Sequence, residues 1–172
     1  NFLPPILDQD YPNFEVIIIN DASLDNTLEV IEEFQALDGR VKLVDVQNNE
    51  AFWANKKYAL TLGIKKAQNP YLIFTDAYAK LGNPYMGVGR NLAYTSKQFY
   101  DQKGFANHLH LRSGDDDLFV NEAANFENTF ICHHPEASTR SVPKADLKSW
   151  LHQKRRHASV AGFYKTKDKV LL

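Results

Sequence analysis

The sequence predicts an α/β domain with a mostly parallel central sheet and helices on both faces. Three strand-like runs, at 16–19, 41–46 and 71–74, alternate with two stretches of helical periodicity, and short polar turns join them. Parallel strands need crossover connections, and a helix between successive strands supplies them. With 172 residues and 44% hydrophobic content, the chain is long enough for one substantial core. We therefore expect a single domain over residues 1–172.

The first strand, Val16–Ile19, is an uninterrupted β-branched run that ends in Asn20 and Asp21. A fully apolar strand indicates a sheet that is covered on both faces. Ligands of such sheets bind at the carboxyl ends of the strands, which makes Asp21 a candidate binding residue. The alternative is a turn in which Ser23 or Asp25 merely caps the next helix.

Two helices and a third strand follow in order. Apolar residues at helical spacing predict a helix over Val30–Leu37 and another over Tyr58–Ala67, which Asn69-Pro70 ends. The third strand, Tyr71–Phe74, runs into Asp76. Parallel pairing would bring Asp21 and Asp76 to one edge of the sheet, where two carboxylates suit a nucleotide and a metal on its phosphates. Asp76 is equally explained as another acid in a turn that ends a strand.

The second half of the chain is less regular. Asn91–Phe105 predicts a short strand and a helix, with Ser96 as its cap and Gly104 as its stop. Gly114-Asp115-Asp116-Asp117 then opens a helix, and Thr129–Cys132 reads as a strand. One carboxylate is enough to cap a helix, and three adjacent ones repel one another. The excess of acids indicates a functional site, such as a general base or a metal ligand.

The carboxyl-terminal part is basic and helical. Lys144–Lys169 carries eight Lys or Arg against two Asp, a net charge of +6, although the whole chain has a net charge of −1. A helix is predicted from Lys144 to about Ala161, with Leu147, Trp150 and Leu151 on its apolar stripe. One face carries groups suited to a diphosphate and a sugar, namely Gln153, Arg156 and His157. A solvated basic face is the simpler alternative. The pair His133-His134 is taken as ordinary polar positions.

Five motifs in this order resemble family-2 glycosyltransferases of the GT-A fold, a Rossmann-like group that includes bacterial polysaccharide and membrane-bound processive synthases. Asp21–Thr27 resembles the family's D-x-S-x-D-x-T turn, and Lys56–Gly63 resembles its K-x-x-A-L-N-x-G helix with Thr61 in place of asparagine. Leu72–Ala77 is similar to the strand that leads into D-x-D. The remaining two matches are Gly114-Asp115-Asp116, for G-E-D, and Gln153–His157, for Q-x-x-R-W with histidine in place of tryptophan.

The resemblance implies an inverting hexosyltransferase that moves a sugar from a nucleotide diphosphosugar to a saccharide or lipid-linked acceptor. Asp116 would be the catalytic base, Asp21 and Lys56 would bind the nucleotide, and Asp76 would hold the ribose or a divalent cation, Mn²⁺ or Mg²⁺. A second group would flank the acceptor and the diphosphate: Asp115, Gln153, Arg155, Arg156 and His157. The resemblance also implies a cytoplasmic enzyme at the inner face of the inner membrane, associated with that membrane in its full-length form.

Three departures from the family pattern accompany these matches. The family's first strand would precede residue 1, and Tyr78 stands where D-x-D has its second acid. A longer segment is expected between residues 77 and 78, which separates a nucleotide-sugar half, 1–77, from an acceptor and catalytic half, 78–172.

Two other functions stay open at this point. The substitution at Tyr78 favours a nucleotide-binding module without catalysis, and an α/β sheet with carboxylates also suits a nucleotidyltransferase. Nucleic acid is not an expected partner, because Asp21, Asp76 and Asp116 would repel phosphates.

Overall fold

The computed structural model describes residues 3–46, 55–75, 80–81, 91–111, 113–125, 127–130, 139–140 and 146–166. These residues form six α-helices and six β-strands, with short 3₁₀ turns at Ala106–His108 and Ala161–Phe163. The helices are α1 (Leu3–Leu7), α2 (Thr27–Leu37), α3 (Asn55–Lys66), α4 (Ser96–Asp101), α5 (Asp117–Ala123) and α6 (Leu147–Ala158). The strands are β1 (Val16–Asp21), β2 (Val41–Val46), β3 (Tyr71–Phe74), β4 (Lys80–Leu81), β5 (Leu92–Thr95) and β6 (Thr139–Arg140).

Strands β1 and β2 pair in parallel, as predicted. Val16 lies opposite Val41, and the register continues to Asp21 opposite Val46. Helix α2 makes the crossover between them. It is capped by Asp38, whose N–H donates to the Phe34 carbonyl. The α/β class expected from the sequence is confirmed by this unit.

Strand β3 does not pair as predicted. It runs antiparallel to β5, with Tyr71 opposite Thr95 and Phe74 opposite Leu92. Within the described residues, β1–β2, β3–β5 and the short antiparallel pair β4–β6 are separate two-stranded sheets. An apolar run identifies a strand but leaves its partner and direction open, so the sequence could not distinguish these pairings.

Burial of β1 is lower than predicted. Val16–Ile19 are half-buried, and Asn20 is the strand's one buried residue. Alternation along the strand directs Ile17 and Ile19 toward α3, where a Cβ on Gly63 would lie 2.6 Å from Ile19 Cδ1. The glycine therefore permits the close approach of α3 to this face of the strand.

The main core lies under α3, β3, α4 and α5. Its buried members are mostly aromatic, and Phe99 contacts the Phe105 ring edge-to-face at 5.1 Å between centroids. Gly104 ends the turn after α4 at φ +60°, and a Cβ there would lie 2.8 Å from Phe99 Cζ. The predicted stop at Gly104 is confirmed for this reason. The buried cluster comprises Ile64, Leu72, Phe99, Phe105 and Phe119.

Three further predictions need correction. The α4 cap is Thr95 and not Ser96, because Thr95 and Gln98 form a reciprocal capping box. Thr129 and Phe130 are not in a strand, and the rest of that predicted strand lies outside the described residues. On α6, the expected apolar stripe is exposed, with Trp150 and Leu151 at 45% and 43%.

Helix α6 starts at the Asp146 cap, whose carboxylate accepts the Ser149 N–H at 2.8 Å. Among the described helices, none combines the length and apolar character required to cross a bilayer.

Candidate active site

A cleft opens where the end of β3 meets β5, α3 and the start of α5. It holds ≈ 350 Å³ of empty space, part of it open to solvent. Its apolar wall is formed by Leu60, Phe74 and Leu92, and its polar groups are Lys56, Thr75, Tyr94, Asp115 and Asp116. Three residues predicted for the site, Lys56, Asp115 and Asp116, thus come together although 59 positions separate Lys56 from Asp115 in the sequence.

The three consecutive acids at the start of α5 have three different partners. Asp115 is 8% exposed, and its Oδ2 pairs with Lys56 Nζ at 2.7 Å. Asp116 is the α5 cap, and its Oδ1 accepts the Asp117 N–H at 2.8 Å. Asp117 Oδ2 accepts the Tyr164 hydroxyl at 2.9 Å. The two acids that do not cap α5 therefore have other contacts. Asp115 forms an ion pair in the cleft, and Asp117 forms a tertiary hydrogen bond.

The Asp117 contact connects α5 to the segment after α6. Burial raises the pKa of Asp117, and the neighbouring Asp116 adds to this, while the Tyr164 hydrogen bond opposes it. Burial and the Asp117 carboxylate raise the pKa of Tyr164 to about 12. Lys165 adds two contacts, since its N–H donates to Asn121 Oδ1 at 2.9 Å and its Nζ to the Glu122 carbonyl at 3.1 Å. These contacts hold Tyr164 and Lys165, near the end of the basic segment, against α5, the helix that begins at the three acids.

Tyr94 is a cleft residue that the sequence reasoning missed. Its ring lies 4.6 Å from those of both Phe74 and Phe119, measured between centroids. Burial raises the pKa of Tyr94, and Asp115 adds to this, so the phenol stays protonated. The alternating residues of β5 gave a weak signal for an inward-facing aromatic.

Lys57 is a second missed residue. It is 1% exposed, and its Nζ donates to the carbonyls of His108 at 2.7 Å, Leu111 at 3.1 Å and Ser113 at 2.7 Å. A signal existed in the sequence, because Lys57 shares a helix face with the buried Ile64 at i+7. A lysine on the buried face of a helix is unusual, and its charge requires a specific partner. Thr61, which stands where the family pattern has asparagine, lies one turn later, and its hydroxyl donates to the Lys57 carbonyl at 2.7 Å.

The turn that carries Asp21 is held by a buried amide. Asn20 is 4% exposed, and its Nδ2 donates to Asp45 Oδ1 at 2.7 Å, while its Oδ1 accepts the Ser23 N–H at 3.2 Å. Asp25 accepts the Thr27 N–H at 3.1 Å, which confirms the helix-start role considered for it. Asp21 is exposed at the end of β1 and is not among the residues that line the cleft.

The other predicted residues are placed only in part. Gln153 is half-buried and Arg155 exposed on α6, and neither lines the cleft. Arg156 and His157 belong to α6, but their side chains lie outside the described residues, as do Asp76, Tyr78 and His133-His134. The described residues contain no group of three or more His, Cys, Asp or Glu arranged to hold a metal ion. Of the described cleft carboxylates, Asp115 already pairs with Lys56, so these residues do not form a metal site by themselves.

Comparison with known proteins covers the amino-terminal part of the chain. Residues 3–77 match the family described as Glycosyl transferase family 2. A poly-beta-1,6-N-acetyl-D-glucosamine synthase from Staphylococcus epidermidis is 43% identical over 75 residues, 44% of this chain and 17% of that protein. An uncharacterized glycosyltransferase, YkcC, from Bacillus subtilis is 32% identical over 75 residues, 44% of this chain and 22% of YkcC. Glycosyltransferase GlyG from Streptococcus pneumoniae is 32% identical over 72 residues, 42% of this chain and 23% of GlyG. The matched region thus spans about a quarter or less of each of these relatives.

Proposed function

Because residues 3–77 match glycosyl transferase family 2, we propose that this chain is part of an enzyme that transfers a hexosyl group from a nucleotide diphosphosugar to an acceptor hydroxyl. The observation that carries the proposal is the convergence of Lys56 with Asp115 and Asp116 in one cleft beside the end of β3. Lys56 belongs to the matched segment, and the two acids lie beyond it. The cleft therefore joins the region of family likeness to the candidate base.

In the proposed reaction Asp116 accepts the proton of the acceptor hydroxyl. The acceptor oxygen then bonds to the anomeric carbon as the bond from that carbon to the diphosphate breaks, and the electron pair leaves with the nucleoside diphosphate. Attack from the opposite face inverts the anomeric centre. A carboxylate accepts up to about four hydrogen bonds, so the Asp117 N–H on Asp116 Oδ1 is compatible with this role. That N–H also fixes the carboxylate relative to the cleft.

Lys56 supplies positive charge where the diphosphate would leave. Its side chain is 51% exposed while its Nζ lies 2.7 Å from Asp115 Oδ2. A lysine ammonium has three N–H donors, so Lys56 at the rim of the cleft is able to contact a phosphate while it keeps its contact with Asp115. Asp21 is proposed to bind the nucleotide, and Gln153, Arg155, Arg156 and His157 to flank the diphosphate and acceptor.

A divalent cation is a further part of the proposal. Mn²⁺ or Mg²⁺ would be held through Asp76 and would neutralise charge on the diphosphate when bound. Titration of the protein with uridine diphosphate sugars and their guanosine counterparts, with and without Mn²⁺, measures this. If donor affinity is the same with and without Mn²⁺, the cation has no part in donor binding and this part of the proposal is wrong.

Location at the cytoplasmic face of the inner membrane, with a saccharide or lipid-linked acceptor, completes the proposal. The basic composition of Lys144–Lys169 supports contact with anionic lipid. Fractionation of cells that produce the full-length protein is the direct test, and recovery in the soluble fraction alone would contradict it.

Asp116→Asn tests the assignment of the base. Positioned base catalysis contributes about 10²–10⁴-fold, so transfer should fall by at least about 10² while donor affinity stays unchanged by calorimetry. Asp101→Asn is the matched control, because Asp101 is exposed on α4 and pairs with Lys97 on the same helix. Full activity of Asp116→Asn would remove Asp116 from this role. Donor binding by the wild-type protein without any transfer would instead favour the non-catalytic nucleotide-binding module, and release of pyrophosphate would favour a nucleotidyltransferase.

A further inference from the structure

Lys57 anchors the segment that precedes the candidate base. Its three contacts, to the carbonyls of His108, Leu111 and Ser113, use all three N–H donors of an ammonium group. His108 ends the 3₁₀ turn, and Leu111 and Ser113 lie between that turn and α5, where the described residues form neither helix nor strand. The His108 carbonyl also accepts the Leu111 N–H at 3.1 Å, and Lys57 supplies a charged donor to this carbonyl and to those of Leu111 and Ser113.

Nearby carboxylates offset part of the cost of burying the Lys57 ammonium group. Burial lowers the pKa of Lys57, but Asp115, followed by Asp117, Asp116 and Glu122, opposes this effect. A buried ammonium is tolerated when acceptors and nearby carboxylates replace its hydration. The charge therefore ties α3 to the acidic start of α5 as well as to the carbonyls.

The adjacent residues extend this anchoring up to the base. Gly114, at φ +94°, follows Ser113, and a Cβ there would collide with the Leu118 side chain. Asp115 comes next and pairs with Lys56, the neighbour of Lys57 on α3. Two consecutive lysines of α3 thus hold the chain at Ser113 and at Asp115, immediately before Asp116.

We propose that Lys57 is a positioning residue for Asp116, which sets the distance of that carboxylate from the acceptor hydroxyl by holding the backbone at His108, Leu111 and Ser113. This inference rests on the proposed function for the role of Asp116. It goes beyond that function in assigning a task to a buried lysine that contacts no substrate.

The test compares Lys57→Met and Lys57→Gln with Lys65→Met, an exposed lysine of the same helix. Misplacement of a catalytic group by about 1 Å costs on the order of 10²-fold, so kcat should fall by about 10–100-fold in Lys57→Met. KM for the donor and the donor Kd should stay within about threefold, because Lys57 does not touch the cleft. Lys57→Gln, which keeps two N–H donors, should retain more activity than Lys57→Met.

Hydrogen–deuterium exchange of peptides over residues 108–116 gives a readout that needs no activity. Exchange should accelerate in Lys57→Met and stay at the wild-type rate in Lys65→Met. Unchanged exchange in Lys57→Met overturns the inference, as does faster exchange with an unchanged kcat. If the wild-type protein transfers no sugar, the proposed function fails, while the exchange result still decides whether Lys57 holds the segment.

A measurement on the wild-type protein covers the case in which the Lys57 variants do not fold. Reductive methylation of the native protein should leave Lys57 unmodified while Lys65 and Lys66, which are exposed, react. Peptide mass spectrometry locates the modified lysines. If Lys57 is modified at the same rate as Lys65, it is not buried, and the inference that it holds the segment before Asp116 is wrong.

Discussion

Glu15→Ala removes a carboxylate that ties the start of β1 to the turn between α3 and β3. Glu15 Oε1 accepts the N–H groups of Gln68 at 2.7 Å and Asn69 at 2.8 Å, and the Asn69 side-chain amide at 2.9 Å. Its Oε2 pairs with Lys42 at 2.6 Å. Hydrogen bonds to charged groups contribute about 1.5–3 kcal/mol each when buried, and partial exposure here reduces this to about 1 kcal/mol per backbone donor. With a small contribution from the ion pair, we expect a loss of about 2–3 kcal/mol in the free energy of unfolding.

The pH dependence of stability gives an independent check on Glu15. Burial alone would raise the pKa of Glu15, but Lys42 and the N–H groups of Gln68 and Asn69 outweigh it and hold the pKa below its ordinary value of 4.5. A carboxylate with a lowered pKa in the folded state stabilises the protein above the unfolded pKa, and this contribution is lost as the pH falls through the folded pKa. The wild-type protein should therefore lose more stability than Glu15→Ala as the pH falls below about 4.5.

Urea unfolding followed by far-ultraviolet circular dichroism, at pH 7 and at pH 4, measures both effects. Glu32→Ala serves as the control, because Glu32 is exposed on α2 and should change stability by less than about 0.5 kcal/mol. A Glu15→Ala variant with the wild-type urea midpoint at pH 7, and the same acid dependence, would refute the assignment of these four contacts.

Substitutions at three other positions test further assignments. Asp21→Ala should weaken donor binding by roughly tenfold, the value of one charge-assisted hydrogen bond, and unchanged affinity by calorimetry would count against a nucleotide role. Tyr164→Phe should cost about 1 kcal/mol in urea unfolding by removing the hydroxyl from Asp117. Since the pKa of Tyr164 is raised to about 12, the wild-type contribution is present below pH 10 and is lost between pH 10 and 12, a decline that Tyr164→Phe should not show. Gly63→Val should cost about 2 kcal/mol by overpacking against Ile19, whereas Gly63→Ala should stay within about 1 kcal/mol, because better helix propensity offsets the contact with the mobile end of that side chain. Equal stability of the two Gly63 variants would show that α3 has room to move away from β1.

Local signals predicted most elements to within a few residues. The helices over Thr27–Leu37 and Asn55–Lys66 follow from apolar spacing, and the stop at Gly104 follows from the ease with which glycine adopts the positive φ found there. The cap of α4 was misplaced by one residue, because Thr95 and Ser96 are both good caps and the Gln98 contact decides between them. Such features depend on neighbours within one or two turns, so the sequence contains the information needed to find them.

The candidate site was predictable in composition but not in geometry. Motif resemblance put Lys56, Asp115 and Asp116 in one site, and the cleft places them together. It said nothing of Lys57, although a lysine on the same face as Ile64 was a visible anomaly. The partners of Asp115 and Asp117 could not be predicted either, because Lys56 and Tyr164 lie far from these acids in the sequence.

The sequence by itself determined the order of the first three strands and the two helices between them, the family likeness of residues 3–77, and the acids from which a base could be chosen. Tertiary structure decided that β3 pairs with β5 in antiparallel fashion, that β1 is half-buried, and that Lys57 reaches across 56 positions to Ser113. The physical reason is the range of the interactions. Periodicity and capping act over a few residues, whereas strand partners and buried charges are selected by the free energy of contacts between distant segments, which appear only when the chain is packed.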